Sequence, residues 1–241
     1  MNIRDSVIAA LRDAADPARA PQQQAYMKSA MPYFGVGVPQ CRRIAGSVFR
    51  THPLADARAW EATILDLWRR AAHREERYAA IELLLFHRYS RWLEPARLPL
   101  VEELVVTGAW WDYVDAIAGR GVGTMLAAHP RPMKAVLREW AKDDDIWKRR
   151  TAILAQLRAK HATDTGLLAD AIRPSIGAQE FFLRKGIGWA LREYSKTDPD
   201  WVVAFVGAHP ALSDLSRREA LKHVRRTKAG LDPPAGPAPG R

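Results

Sequence analysis

Apolar residues along this chain recur at intervals of three and four, and no run keeps the strict alternation of a half-buried strand. The pattern predicts helices over 3–15, stopped by Asp16-Pro17, over 22–31, stopped by Pro32, and over 39–51, with Pro39 in the first turn. Further helices are expected over 55–71, 75–91, 95–107, 110–118, 122–128, 131–142, 145–160, 165–176, 178–194, 199–208 and 214–226. The short connections suit antiparallel helix pairs. Three dipeptides, His52-Pro53, His129-Pro130 and His209-Pro210, each close an apolar helical stretch. Their spacing is about twice the roughly 40-residue period of HEAT-type repeats. The expectation is an all-α fold, an α-solenoid of HEAT-like antiparallel helix pairs with a concave basic cleft. Residues 1–226 form a single domain in this reading. Residues 227–241, rich in Pro and Gly, carry too little apolar surface to order and read as a disordered tail.

The formal net charge of +10 turns attention to polyanionic partners, DNA or RNA above all. No apolar stretch approaches the roughly 20 residues that cross a bilayer, and the N-terminus does not read as a signal peptide. With Cys41 alone, no intramolecular disulfide can form, which fits a reducing compartment. The protein is therefore expected in the cytoplasm, nucleoid-associated when on DNA. The seven histidines are scattered without metal-ligand spacing, so neither a metal nor another cofactor is expected. None of the glycine clusters leads into the Gly-Lys-Ser/Thr of a phosphate loop, and no Gly-x-Ser-x-Gly elbow occurs. Close helix packing is the simpler reason for Gly186 and Gly188.

Three helical stretches carry residues that packing alone does not explain. In Trp110-Trp111-Asp112-Tyr113-Val114-Asp115, the residues Trp110, Tyr113, Val114 and Ile117 share one apolar stripe. Trp111 and Asp115, four residues apart, are neighbours on a face beside it. On the helix over 145–160, Arg150 projects among Ile146, Trp147, Ile153, Leu154 and Leu157. A guanidinium in such company needs either a carboxylate, with Asp112 and Asp115 as candidates, or a phosphate. On the helix over 178–194, Trp189 lies off the core stripe and shares a face with Lys185 and Arg192. That is the composition of a nucleic-acid groove, and equally of an indole covered by a neighbouring helix with snorkelling cations. Arg218, Lys222, Arg225 and Arg226 make a basic stripe, either a solvated face or a ridge that tracks a phosphate backbone.

These stretches in this order resemble the AlkD-type family of DNA alkylation repair proteins, the HEAT-like repeat DNA glycosylases. The resemblance covers about residues 22–224. It rests on Ala25-Tyr26-Met27-Lys28, on Trp110-Trp111-Asp112-x-Val114-Asp115 and on Ile146-Trp147-x-x-Arg150-x-Ala152-Ile153-Leu154. It continues through Glu180-Phe181-Phe182-x-x-Lys185-x-Ile187-Gly188-Trp189-x-Leu191-Arg192-Glu193-Tyr194 and Ser216-x-Arg218-Glu219-Ala220-x-Lys222-His223. The resemblance implies a monofunctional hydrolase of the N-glycosidic bond of 3-methyladenine and 7-methylguanine in base excision repair. It implies a monomer acting on double-stranded DNA without drawing the base into a deep pocket. It also implies cleft residues at Trp111, Asp115, Arg150 and Trp189: Asp115, Trp111 and Trp189 serve the chemistry, and Arg150 grips a phosphate. With the face argument, Lys185, Arg192, Arg218 and Lys222 join Arg150 as DNA-binding residues. The stretch Gly119-Arg120-Gly121-Val122-Gly123 is richer in glycine than the family pattern, so the helix is expected to break early there. The competing reading is a non-catalytic helical-repeat module that binds nucleic acid or protein on its concave face. A weaker one makes Lys185 a Schiff-base nucleophile.

Overall fold

The computed structural model describes residues 2–228, among which every regular element is helical. The chain divides into two compact units, Met1–Leu104 and Val105–Arg241.

The first unit holds α1 (Ile3–Asp13), α2 (Ala20–Met27), α3 (Val38–Thr51), α4 (Ala57–Arg69) and α5 (Arg74–Leu84), and the division falls within α6 (Leu98–Gly108). Side chains written into the sequence start these helices. Asn2 accepts from the Asp5 amide at 2.8 Å, and Asp56 accepts from the Ala59 amide at 2.8 Å. The expected helix over 75–91 is shorter than its apolar pattern. After α5 the chain turns into a 3-10 segment, His87–Trp92, in which Tyr89 stacks on Trp92 while Phe86 meets Phe49 edge-on. Aromatic residues spaced by three suit that tighter winding. The loop before α3 is buried, and its Phe34, Gly35 and Val36 amides each donate to Glu75 at 3.0 Å.

The second unit begins with α7 (Trp111–Ala116), which passes through a π-helical stretch, Ile117–Val122, into α8 (Gly123–Ala128). The expected break in the glycine-rich segment is therefore a local widening, and the helix continues. Next come α9 (Pro130–Trp140), α10 (Ile146–Leu154), α11 (Thr165–Ile172), α12 (Phe181–Tyr194) and α13 (Pro199–Ala208). The expected helix over 214–226 is two, α14 (Asp214–Ala220) and α15 (Lys222–Lys228), with a turn at Leu221. So α15 includes Thr227 and Lys228, which the tail was expected to claim, and the rest of that tail lies outside the described residues. Helices here pack mostly on neighbours one and two along the chain, such as α8 on α9, α9 on α11, α10 on α12 and α12 on α14. That is the nearest-neighbour logic of helical repeats. Ile153, Leu154, Ile172, Leu183, Ile187 and Leu191 anchor the core shared by α10, α11 and α12.

The His-Pro dipeptides share one geometry. His52, His129 and His209 are the C-caps of α3, α8 and α13, with φ near −120° to −130° and ψ of 75°, 62° and 74°. A following proline excludes the α region, so each helix must stop there.

Candidate functional site

Ala109, at φ +42°, turns the chain from α6 into α7 and leaves Trp110 as the extended N-cap. Trp110 is thus outside the helix that was expected to include it. Its indole lies against Phe182 and Trp147, at centroid distances of 5.3 and 6.3 Å. Tyr113, Val114 and Ile117 are fully buried, as the stripe requires. Trp111 and Asp115 are half-buried on the adjoining face, one turn apart on α7.

Arg150 on α10 reaches Asp115. Its Nε donates to Oδ1 at 2.7 Å and its Nη2 to Oδ2 at 2.9 Å, a two-pronged guanidinium–carboxylate pair. Its Nη1 donates to the Phe182 carbonyl on α12. Of the two candidate carboxylates, Asp115 is the partner. The Arg150 side chain is 4% exposed and that of Asp115 12%, so the pair is largely shielded from water, Asp115 less completely than Arg150. Burial pushes the Asp115 carboxyl above the ordinary aspartate range. The Arg150 hydrogen bonds and charge oppose that rise, and the nearby Asp112 charge adds to it.

Two glycines on α12 make the arrangement possible. A β-carbon on Gly186 would stand 3.0 Å from Arg150 Nη1, so its absence lets the guanidinium lie against the helix. A β-carbon on Gly188 would stand 2.6 Å from the Glu219 β-carbon and 3.0 Å from the Ser216 carbonyl. The missing side chain lets α14 approach, and Ser216 Oγ donates to the Arg184 carbonyl at 2.9 Å. The sequence reading of this glycine pair as packing residues holds.

Trp189 follows Gly186 by three residues and is half-buried at the edge of the core. Lys185 and Arg192, which share its face, both bind Glu219, at 3.0 and 2.8 Å. Hydrogen bonding from Lys185 leads in holding the Glu219 carboxyl below its ordinary range, with the charges of Lys185, Arg192 and Lys222 adding to it. Sequence reasoning gave Glu219 no role, although an acid set between Arg218 and Lys222 was a signal. Arg218 and Lys222 are exposed and sit on α14 and α15 respectively. The expected single basic face is therefore interrupted at Leu221.

Trp111 and Trp189 sit on two of the helices that hold the ion pair. Trp111 lies one turn from Asp115, Asp115 is held by Arg150, Arg150 abuts Gly186, and Gly186 lies one turn from Trp189. A shielded carboxylate fixed in this way can stabilise a developing positive charge. Among the described residues, no group of His, Cys, Asp and Glu side chains could hold a metal ion, and no helix is long and apolar enough to cross a membrane.

Comparison with known proteins bears on what such a carboxylate serves. A search of curated proteins finds no match. Among solved structures, the chain is similar to a predicted DNA alkylation repair enzyme from Enterococcus faecalis. The two share 29% identity at a TM-score of 0.78, over 87% of this chain and 96% of that one. The sequence profile of the DNA alkylation repair enzymes matches residues 7–224, a span that takes in the Asp115–Arg150 pair, Trp111 and Trp189. On that match the chain belongs to the family of DNA alkylation repair enzymes.

Proposed function

We propose that this chain is a DNA glycosylase that hydrolyses the N-glycosidic bond of cationic alkylpurines, 3-methyladenine and 7-methylguanine, in double-stranded DNA. A purine alkylated at N3 or N7 carries a positive charge, so it is already a good leaving group and needs little protonation. The barrier lies in the sugar, which becomes oxocarbenium-like as the bond breaks. The observation that carries the reading is Asp115, a carboxylate fixed by two hydrogen bonds from Arg150 and still 12% exposed. Placed beside the sugar, it stabilises the developing charge and orients the attacking water.

Trp111 and Trp189 hold the cationic nucleotide by stacking and cation–π contact. No deep base pocket is needed, because nothing on the base has to be protonated. Arg150 has a role beyond the phosphate grip implied by the resemblance: three of its five N–H groups are committed to Asp115 and Phe182. It positions the carboxylate. Lys185, Arg192, Arg218 and Lys222 supply backbone contacts. Lys185 is held in an ion pair with Glu219 at 3.0 Å, and the reading uses it for a backbone contact, with no Schiff-base step.

The test is release of 7-methylguanine from alkylated duplex DNA. Free base should form well above the spontaneous rate. Asp115→Asn should lower the rate about 10- to 1000-fold, the scale of losing one electrostatic contact in the transition state. Binding to DNA with a stable abasic analogue should be nearly unchanged in that variant. Release no faster than in buffer overturns the reading.

A further inference from the structure

The second unit holds a cavity of about 660 Å³ that shares no lining residue with the Asp115 site. Ile153, Leu157, Leu168 and Ala190 give its lining an apolar part, and Tyr194 adds an aromatic ring. The size is that of a small-molecule site, far more than a bare ion needs.

The rim has the opposite character. The loop after α10 brings Arg158, Lys160 and His161 to the mouth, and Thr163 and Thr197 add two hydroxyls. Among the described residues, none of these five side chains has a hydrogen-bond or ion-pair partner. The acid in the lining, Glu193, is neutralised by Lys196 at 2.7 Å. Arg158 and Lys160 therefore line the cavity without an acidic partner, beside its apolar residues.

The loop that carries them is built rather than slack. Gln156 Nε2 donates to the Asp164 carbonyl at 3.0 Å, and the Asp164 amide donates back to Gln156 Oε1 at 2.8 Å. This pair of bonds cinches residues 157–163 into a closed loop. Within it Lys160 adopts φ +50°, in the left-handed region, and opens a 3-10 turn over Lys160–Ala162.

A ligand that satisfies both halves has a flat apolar ring and an anionic group one short linker away. We propose that this cavity binds a nucleotide, with the base against Leu157, Leu168, Ala190 and Tyr194 and the phosphate held by Arg158 and Lys160. Arginine matches phosphate geometry, and an aromatic ring stacks bases without regard to sequence. The nucleotide comes either free, as a deoxynucleoside monophosphate, or as one unit of a DNA strand.

The experiment is calorimetric titration of the full chain with deoxyadenosine monophosphate, with inorganic phosphate, and with a short 5′-phosphorylated single strand. The monophosphate should bind at least about tenfold more tightly than phosphate, because only it reaches the apolar residues. The double variant R158Q/K160Q should weaken it at least tenfold. Both side chains are exposed, so the fold is preserved. Binding by the strand but not the monophosphate assigns the site to a nucleotide within DNA. Photolabelling with 8-azido-deoxyadenosine monophosphate gives an independent reading, with label expected in residues 153–168 or 190–197. Label elsewhere, affinity unchanged in R158Q/K160Q, or no binding by either nucleotide form overturns the proposal.

Discussion

Glu219 lies so close above Gly188 that no side chain fits between them: a β-carbon added to the glycine would come within 2.6 Å of the Glu219 β-carbon. The contact sets the distance between α12 and α14, and with it the reach of Lys185 and Arg192 to Glu219. Gly188→Ala would gain roughly 1 kcal/mol of helix propensity and lose about 1–3 kcal/mol to overpacking, against a backbone carbonyl that cannot move alone. Urea unfolding should show net destabilisation. A variant as stable as the parent would mean that α14 shifts freely.

Removing one partner of the Asp115–Arg150 pair should be costly. Arg150→Met leaves a shielded carboxylate without its counter-charge, a change worth about 3–5 kcal/mol in buried pairs. The partial opening of Asp115 to water places the expected loss at the lower end. Asp115→Asn keeps the shape but leaves the better-shielded Arg150 guanidinium without its counter-charge, so its loss should be of similar size. A chemical denaturation series on the two variants checks this, and a negligible loss in either would contradict it.

The pH dependence of excision follows from the same pair. Burial raises the Asp115 carboxyl, so it takes up its proton at a higher pH than an ordinary aspartate. Enzyme-dependent excision, corrected for spontaneous depurination, should therefore fall on acidification at a pH above about 4. Asp112→Asn removes a neighbouring like charge and should move that limb to lower pH. A limb that does not move, or moves upward, would show that the two carboxylates are uncoupled.

Glu219 titrates with the opposite sign. Its carboxyl is held low, so its stabilisation is present above the ordinary glutamate range and is lost as pH falls through its depressed value. Glu219→Gln should destabilise the protein at pH 7 by about 1–3 kcal/mol, the scale of hydrogen bonds to a charged group. It should cost much less at pH 3. Thermal melts at the two pH values test this, and a pH-independent difference would refute the ionic role.

Salt titration separates the cations. Arg218 and Lys222 are exposed, so Arg218→Ala and Lys222→Ala should each reduce the slope of log K against log salt by about 1 for duplex binding. Lys185 and Arg192 are already tied to Glu219, and their alanine variants should change the slope less. Equal slopes for all four would mean that Glu219 releases its partners on DNA.

The chain by itself determined the helices, because each depends on residues three or four apart. Apolar spacing fixed their type, and Asn2, Asp56 and the His-Pro dipeptides fixed several ends. It also marked Trp111, Asp115, Arg150 and Trp189 as poor fits to a packing stripe. The Leu221 turn, the π-helical stretch at Ile117–Val122 and the 3-10 turn at His87–Trp92 escaped, since the helical period runs through all three. Only the tertiary structure decided the partners. Arg150 had Asp112, Asp115 or a phosphate open to it, and the choice of Asp115 joins residues 35 positions apart. Glu219 takes Arg192 from 27 positions away, through a gap that Gly188 leaves open. Local periodicity says which face a charge occupies, but its counter-charge is set by how closely two helices approach, and that distance is a property of the packed core.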